Sequence, residues 1–248
     1  MNSSKHRLLL SSFKAFLFIL FLLTARQAQA GFLDGLFKIF GLSSDETSLS
    51  EDKIIAGFRE ALKIGTENTV EFTGKLNGYF ANEAIKILLP ENIRKFEDAL
   101  RFMGYGPKID EFVLSMNRAA EKAAPHARNI FLNAVKEITF QDARKILSGG
   151  DTSITNFFKD KTYDDLFTAF GPVVENELVK YDVTEKYMAV VNRYRKLPLA
   201  EKIPMLDMNK YVTTKALDGL FYVLSDEERN IRDNPSARVT ELLREVFK

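Results

Sequence analysis

The chain has 248 residues, 46% of them hydrophobic, with 21 Phe, no Cys, no Trp, and 35 Lys+Arg against 34 Asp+Glu. That apolar content can build a core and argues against a disordered chain. Zero cysteine excludes disulfide scaffolds, thiolate metal sites, iron–sulfur clusters and thiol catalysis. A formal charge of +1 argues against the concentrated cationic surface that nucleic acid requires.

Residues 1–30 read as a secretory signal peptide. Lys5, His6 and Arg7 form a basic start, and Ala15–Leu23 is an unbroken apolar run. Ala28-Gln29-Ala30 then supplies the small residues that precede a cleavage site, so Gly31 is the expected new N-terminus. Lys14 interrupts the run and leaves nine continuous apolar residues, where a membrane span needs about 20. Cleavage removes four bases (Lys5, Arg7, Lys14, Arg26) and no acid, so 35 bases become 31 against 34 acids, a net charge of −3. With no cysteine after the apolar run, lipid attachment at an N-terminal cysteine is excluded.

Residues 31–49 are expected to be an apolar peptide (Gly31–Phe40) followed by a polar linker. The peptide is amphipathic and could contact a membrane peripherally or dock on the folded domain. Docking is the favoured reading, because Lys38 alone gives little attraction to anionic lipid.

From residue 50 to 248 the apolar spacing is helical. Ser48 or Ser50 can cap a first helix through Ile54, Phe58, Leu62 and Val70. Ala84–Leu89 alternates weakly, as a short strand or an extended connection would. Pro90 suits the first turn of a helix through Ile93, Phe96 and Leu100, ending near Gly104. Ile109, Phe112, Val113, Met116, Ala120 and Ala123 form a stripe that Pro125 breaks. A further helix carries Phe131 and Val135, and Thr139 with Asp142 starts the next, which Gly149-Gly150 stops. Asp151 is placed to cap a short helix around Phe157 and Phe158, and Pro172 to open a separate one through Val174 and Leu178. Another helix runs through Met188, Val191 and Tyr194, and Leu197–Leu206, with two prolines, is expected to be extended. A long helix spans about Asn209 to Asp233, and Asn234-Pro235 opens a last one. The class is all-α, a single compact domain of about eight to ten helices with a long helix near the C-terminus.

The chemistry is sparse. His126 is the single histidine left after cleavage, and no G-x-S-x-G, H-E-x-x-H or P-loop pattern occurs. Ser50-x-x-Lys53 has the spacing of a Ser/Lys pair, a pattern common by chance. No catalytic residue, metal site or cofactor is assigned. The polar residues of interest lie inside otherwise apolar helices: Asn117, Arg118, Glu121, Asp142, Arg144, and the i,i+3 pair Lys215 and Asp218. Glu228 and Arg232 add an i,i+4 pair. Ordinary helix-surface pairs are one reading. A buried network uniting Asn117, Arg118, Asp142, Arg144, Lys215 and Asp218 where three helices meet is the sharper one.

Residues 49–70 (LSEDKIIAGFREALKIGTENTV), 116–127 (MNRAAEKAAPHA), 139–158 (TFQDARKILSGGDTSITNFF), 211–221 (YVTTKALDGLF) and 227–247 (EERNIRDNPSARVTELLREVF) resemble an exported bacterial family, the domain of unknown function numbered 4197. The resemblance implies a helical protein of the Gram-negative cell envelope and, without a cysteine, a soluble periplasmic form. It supplies no activity or site residue. The expected role is a non-enzymatic periplasmic binding or protein-interaction module, with an envelope protein or an apolar ligand as partner and no nucleic acid. The alternative is a carboxylate-dependent enzyme, which requires Glu121, Asp142 and Asp218 to converge in one water-accessible cleft.

Overall fold

The computed structural model describes residues 51–196 and 206–233. Among them are seven helices of two or more turns: α1 (Glu51–Gly74), α2 (Gly106–Ala123), α3 (Ala127–Glu137), α4 (Phe140–Leu147), α5 (Ser153–Lys180), α6 (Val183–Tyr194) and α7 (Met208–Asp233). There is no strand among the described residues. The all-α class holds, with seven such helices in place of eight to ten. The caps at Ser48 and Ser50, the peptide Gly31–Phe40, most of the Leu197–Leu206 connection and the helix after Pro235 lie outside the described residues.

Two departures lower the helix number. The expected break at Pro172 does not occur, and α5 runs through it for 28 residues. Pro172 removes one backbone donor. Phe170 and Val174 on either side are fully buried, however, and their packing holds the axis. Gly171, lacking a Cβ, also relieves the usual clash before proline. The expected helix from Pro90 to Gly104 is instead two single turns, Glu91–Arg94 and Glu97–Leu100, followed by a wide turn over Arg101–Tyr105. Gly104 kinks it at φ 83°, a left-handed conformation that glycine adopts without a Cβ penalty. Other expectations hold as drawn: Pro125 sits in a 3₁₀ turn between α2 and α3, and Thr139 and Asp142 form a capping box on α4.

Helix α5 is the axis of the domain and packs on α7, α2 and α3. Its buried residues Ile154, Phe158, Thr162, Leu166, Phe170, Val174 and Leu178 recur every four positions. At about 100° per residue each step overshoots a full turn by about 40°, so the buried stripe winds around the helix. That winding lets one helix face different neighbours along its length. Aromatic edges knit three of them together: Phe131 of α3 meets Phe158 of α5 at 5.4 Å and Phe221 of α7 at 6.2 Å between ring centroids.

Helices α1 and α7 run antiparallel. Asn68 bonds Glu227 at 3.3 Å, while Tyr79, just beyond the end of α1, bonds the Ala216 carbonyl at 2.6 Å. The approach at the second point depends on Gly219, where a Cβ would lie 2.6 Å from the Tyr79 ring and 3.1 Å from Ile85. A Cβ at Gly65, inside α1, would meet only Ile231 at an ordinary 3.6 Å. Gly219→Ala should therefore destabilise by about 1–3 kcal/mol through overpacking, while Gly65→Ala should stabilise by about 0.5–1 kcal/mol through helix propensity. Urea titration of the two variants checks both signs.

Candidate functional site

Between α1 and the first short turn, residues 75–90 form a strap that crosses α2 and α7. Its burial has a period of two: Ile85, Ile87 and Leu89 are buried, while Ala84 and Leu88 are exposed. It forms no regular strand and is instead tied down by side chains from α2. Asn117 accepts from the Ile87 N–H at 2.9 Å and donates to the Ile87 carbonyl at 2.9 Å, copying one peptide of a sheet ladder. One turn further on, Oε1 of Glu121 accepts the N–H groups of Tyr79 at 3.2 Å and Phe80 at 3.1 Å. Its Oε2 takes the guanidinium of Arg118 at 2.5 Å, and Arg118 reaches on to Asn77 at 2.8 Å. Asn77 adopts the left-handed conformation (φ 65°) at which the chain reverses into the strap.

On the other side the strap meets α7. The Tyr79 hydroxyl is fully buried and donates to the Ala216 carbonyl. Burial first, then the nearby charges of Glu121 and Asp218, push its pKa far above the ordinary tyrosine value, so it stays a neutral donor. Tyr211 donates to the Leu88 carbonyl at 3.0 Å.

A second buried carboxylate repeats the device at the N-terminus of α5. Oε1 of Glu228 on α7 accepts the Ile154 N–H at 3.0 Å, and Oε2 accepts the Thr155 N–H and hydroxyl, both at 2.9 Å. Arg232 pairs with Glu228 at 2.9 Å and also donates to Ser153 at 2.8 Å. The expected cap Asp151 is not used: Thr152 occupies the cap position and its side chain caps no backbone N–H, and Glu228 supplies the negative charge from another helix. The sequence signal for this was an acid within the buried series Leu220, Leu224, Glu228 and Ile231. The pair was legible as i,i+4 spacing, but its burial was not.

The other residues singled out in the sequence do not join these two clusters. Asp142 faces Thr139, whose hydroxyl and N–H hold its carboxyl below the ordinary range, and it lines a cleft with Lys161 and Asp165. Arg144 is exposed and lies over the Phe140 ring at 5.9 Å. Lys215 and Asp218 pair at 3.1 Å with 47% of each side chain exposed. The network expected to unite Asn117, Arg118, Asp142, Arg144, Lys215 and Asp218 is thus replaced by a smaller one, Asn117–Arg118–Glu121 with the strap backbone. The physical reason is helical phase. Asn117 and Glu121 lie on the buried stripe of α2, whereas Lys215 and Asp218 lie on the face of α7 opposite Val212, Ala216 and Leu220.

The same phase builds a surface feature. Tyr211, Lys215, Asp218 and Tyr222 recur at spacings of four, three and four on α7 and form one wall of a groove of about 280 Å³. The strap residues Ala84–Leu88 form the other wall, and Arg94 closes one end. Leu88 and Tyr222 are 41% and 43% exposed there. Glu121 lines neither this groove nor the Asp142 cleft, so the three carboxylates do not share one cavity. Among the described residues no group of three His, Cys, Asp or Glu is arranged to hold a metal ion.

The fold and these ties define, among the described residues, an all-helical domain whose buried carboxylates serve its own backbone and whose surface carries the Asp142 cleft and the groove beside the strap. Residues 48–248 match the family model described as "Protein of unknown function (DUF4197)", and the chain belongs to that family. No curated protein and no solved structure matches the chain.

The energetic contrast between the clusters is testable. Removing Glu121 or Glu228 strands two backbone donors and an arginine, so either Ala variant should lose about 3–5 kcal/mol. Asp218→Ala removes an exposed pair and should cost less than about 1 kcal/mol. Chemical denaturation of the three variants measures the difference.

Proposed function

We propose that this protein is a non-enzymatic binding or protein-interaction module of the bacterial periplasm. The observation that carries the reading is the groove between the strap and α7, with Leu88, Tyr222, Lys215 and Asp218 open to solvent. Tyrosine and a partly exposed aliphatic group supply contact area at a protein interface, and the charged pair between them supplies register. The same face contributes little to stability, since its ion pair is exposed. Its residues are therefore free to serve a partner.

The arrangement of acids favours this over catalysis. Both oxygens of Glu121 and of Glu228 are engaged by backbone N–H groups and arginine. A general acid or base needs a proton path to a substrate, and these carboxylates are turned to the protein backbone. Asp142 and Asp218 are separated into different clefts. Both clefts are lined with charged residues, which suits a polar partner better than a lipid-like ligand.

Location in the periplasm is part of the same proposal and rests on residues 1–30. Among the described residues no helix is long and apolar enough to cross a membrane. Intact-mass analysis of protein isolated from its native cells should give a chain beginning at Gly31. A chain that retains residues 1–30 would contradict export by cleavage.

The interaction itself is tested in cells with a photo-crosslinking residue placed singly at Leu88, Tyr222 or the exposed, remote Lys159. A discrete adduct from the first two positions, absent at Lys159, is expected. Equal labelling at all three, or none at any, would remove the groove from consideration.

A further inference from the structure

Building on the interaction reading above, we infer that the groove takes an extended acidic peptide segment of a partner protein, which pairs in parallel with the strap at Lys86–Leu88. The strap already behaves as half of a ladder. In an extended segment the backbone groups of alternate residues point to opposite edges. The Ile87 N–H and carbonyl point to α2, where Asn117 takes both. The Leu88 carbonyl points the other way, towards α7, where Tyr211 donates to it, and the alternation places the Leu88 N–H and the Lys86 carbonyl on that same edge. The Lys86 N–H is used within the preceding turn, by the Asn82 carbonyl at 2.8 Å. That leaves the Lys86 carbonyl and the Leu88 N–H without a hydrogen-bond partner among the described residues. An acceptor at residue i−1 and a donor at residue i+1 are the pair that one residue of a parallel strand engages. Strand addition to such an edge is a recurrent mode of peptide recognition.

The groove has the length and charge for this occupant. From Tyr211 to Tyr222 the α7 wall spans twelve residues, a rise of about 16 Å, which matches about five residues of extended peptide. Lys86, Arg94 and Lys215 line it, paired at the surface with Glu83, Glu91 and Asp218. Of these acids only Asp218 lines the groove, and exposed pairs are weak, so an acidic side chain on the peptide can engage the lining cations. The chain's own apolar peptide Gly31–Phe40 is badly placed to fill it. Because α1 is antiparallel to α7, Glu51 lies at the far end of a helix of 24 residues, about 36 Å long. The ten residues 41–50 would have to be fully taut, at about 35 Å, to bring that peptide back. Nor does its composition match, since it carries more apolar than acidic residues.

The test uses the protein purified as the cell produces it, panned against a phage-displayed library of random twelve-residue peptides. Enriched sequences should carry Asp or Glu. A synthetic copy of one should shift the Leu88 amide resonance and slow its hydrogen exchange while leaving the Ile87 amide unchanged. Leu88→Pro deletes the donor and should weaken binding about threefold to tenfold, the loss of one hydrogen bond. Lys215→Glu should weaken it similarly, and added salt should do the same. Should Leu88→Pro fail to fold, the Leu88 amide exchange in the unaltered protein decides the question. Failure to enrich acidic peptides, or binding that leaves the Leu88 amide unprotected, would overturn the inference. So would crosslinks from Leu88 that map to residues 31–40 or 234–248 of this chain or to a second copy of it. If groove positions crosslink to a partner in cells while peptides fail, the interaction reading stands and strand pairing falls. If neither occurs, both fall.

Discussion

A buried carboxylate is tolerated in this domain only because backbone N–H groups and an arginine surround it, and the fold is arranged around that requirement twice. Glu121 is 3% exposed and Glu228 2% exposed. An ion so far from water costs several kcal/mol unless its lone pairs are satisfied. In each case two consecutive amides point into one carboxylate, those of Tyr79 and Phe80 at Glu121, and those of Ile154 and Thr155 at Glu228. The consequence differs with what is held. At Glu228 the amides belong to the first turn of α5, so the carboxylate caps the central helix and joins it to α7. At Glu121 they belong to the strap, which without a sheet partner would otherwise leave them bare in the interior.

Once the strap is pinned, other features follow. Tyr79 is delivered to the Ala216 carbonyl, which is why position 219 has room for nothing beyond glycine. Ile85, Ile87 and Leu89 are pressed into the core, and Lys86 and Leu88 are turned out. The strap's outer edge then faces the Tyr211–Tyr222 stripe of α7 across the groove. In the proposed reading, stability and interaction fall to opposite edges of one segment. The inner edge is closed by Asn117 and Glu121, and along Lys86–Leu88 the outer edge is bonded, among the described residues, by Tyr211 alone.

Much of this was legible from residue spacing, and the limits have physical causes. The stripes of α2 and α7, the break at Pro125 and the Thr139–Asp142 capping box are local patterns, and local patterns survive in sequence. The interest of Asn117, Arg118 and Glu121 was also visible, because polar side chains on an apolar stripe require partners. Their partners were not visible. They are the backbone amides of residues 79, 80 and 87, which carry no side-chain signature and lie 30–42 positions away. For the same reason spacing alone groups Asp142 and Lys215–Asp218 with them, since a charge on a helix does not disclose its phase relative to a distant neighbour. Pro172 misled in the opposite sense. A local breaker was overridden by the burial of Phe170 and Val174 around it.

The central claim is that the two carboxylates clamp their amides as firmly as the core itself. Residue-resolved hydrogen exchange of the native protein tests it most directly. The amides of Tyr79, Phe80, Ile154 and Thr155 should exchange only through global unfolding, at the rate of core amides such as those of Met116 and Leu166. Glu121→Ala should release Tyr79 and Phe80 while leaving Ile154 and Thr155 protected. Fast exchange of these four amides in the unaltered protein, with the helices still protected, would contradict the clamp.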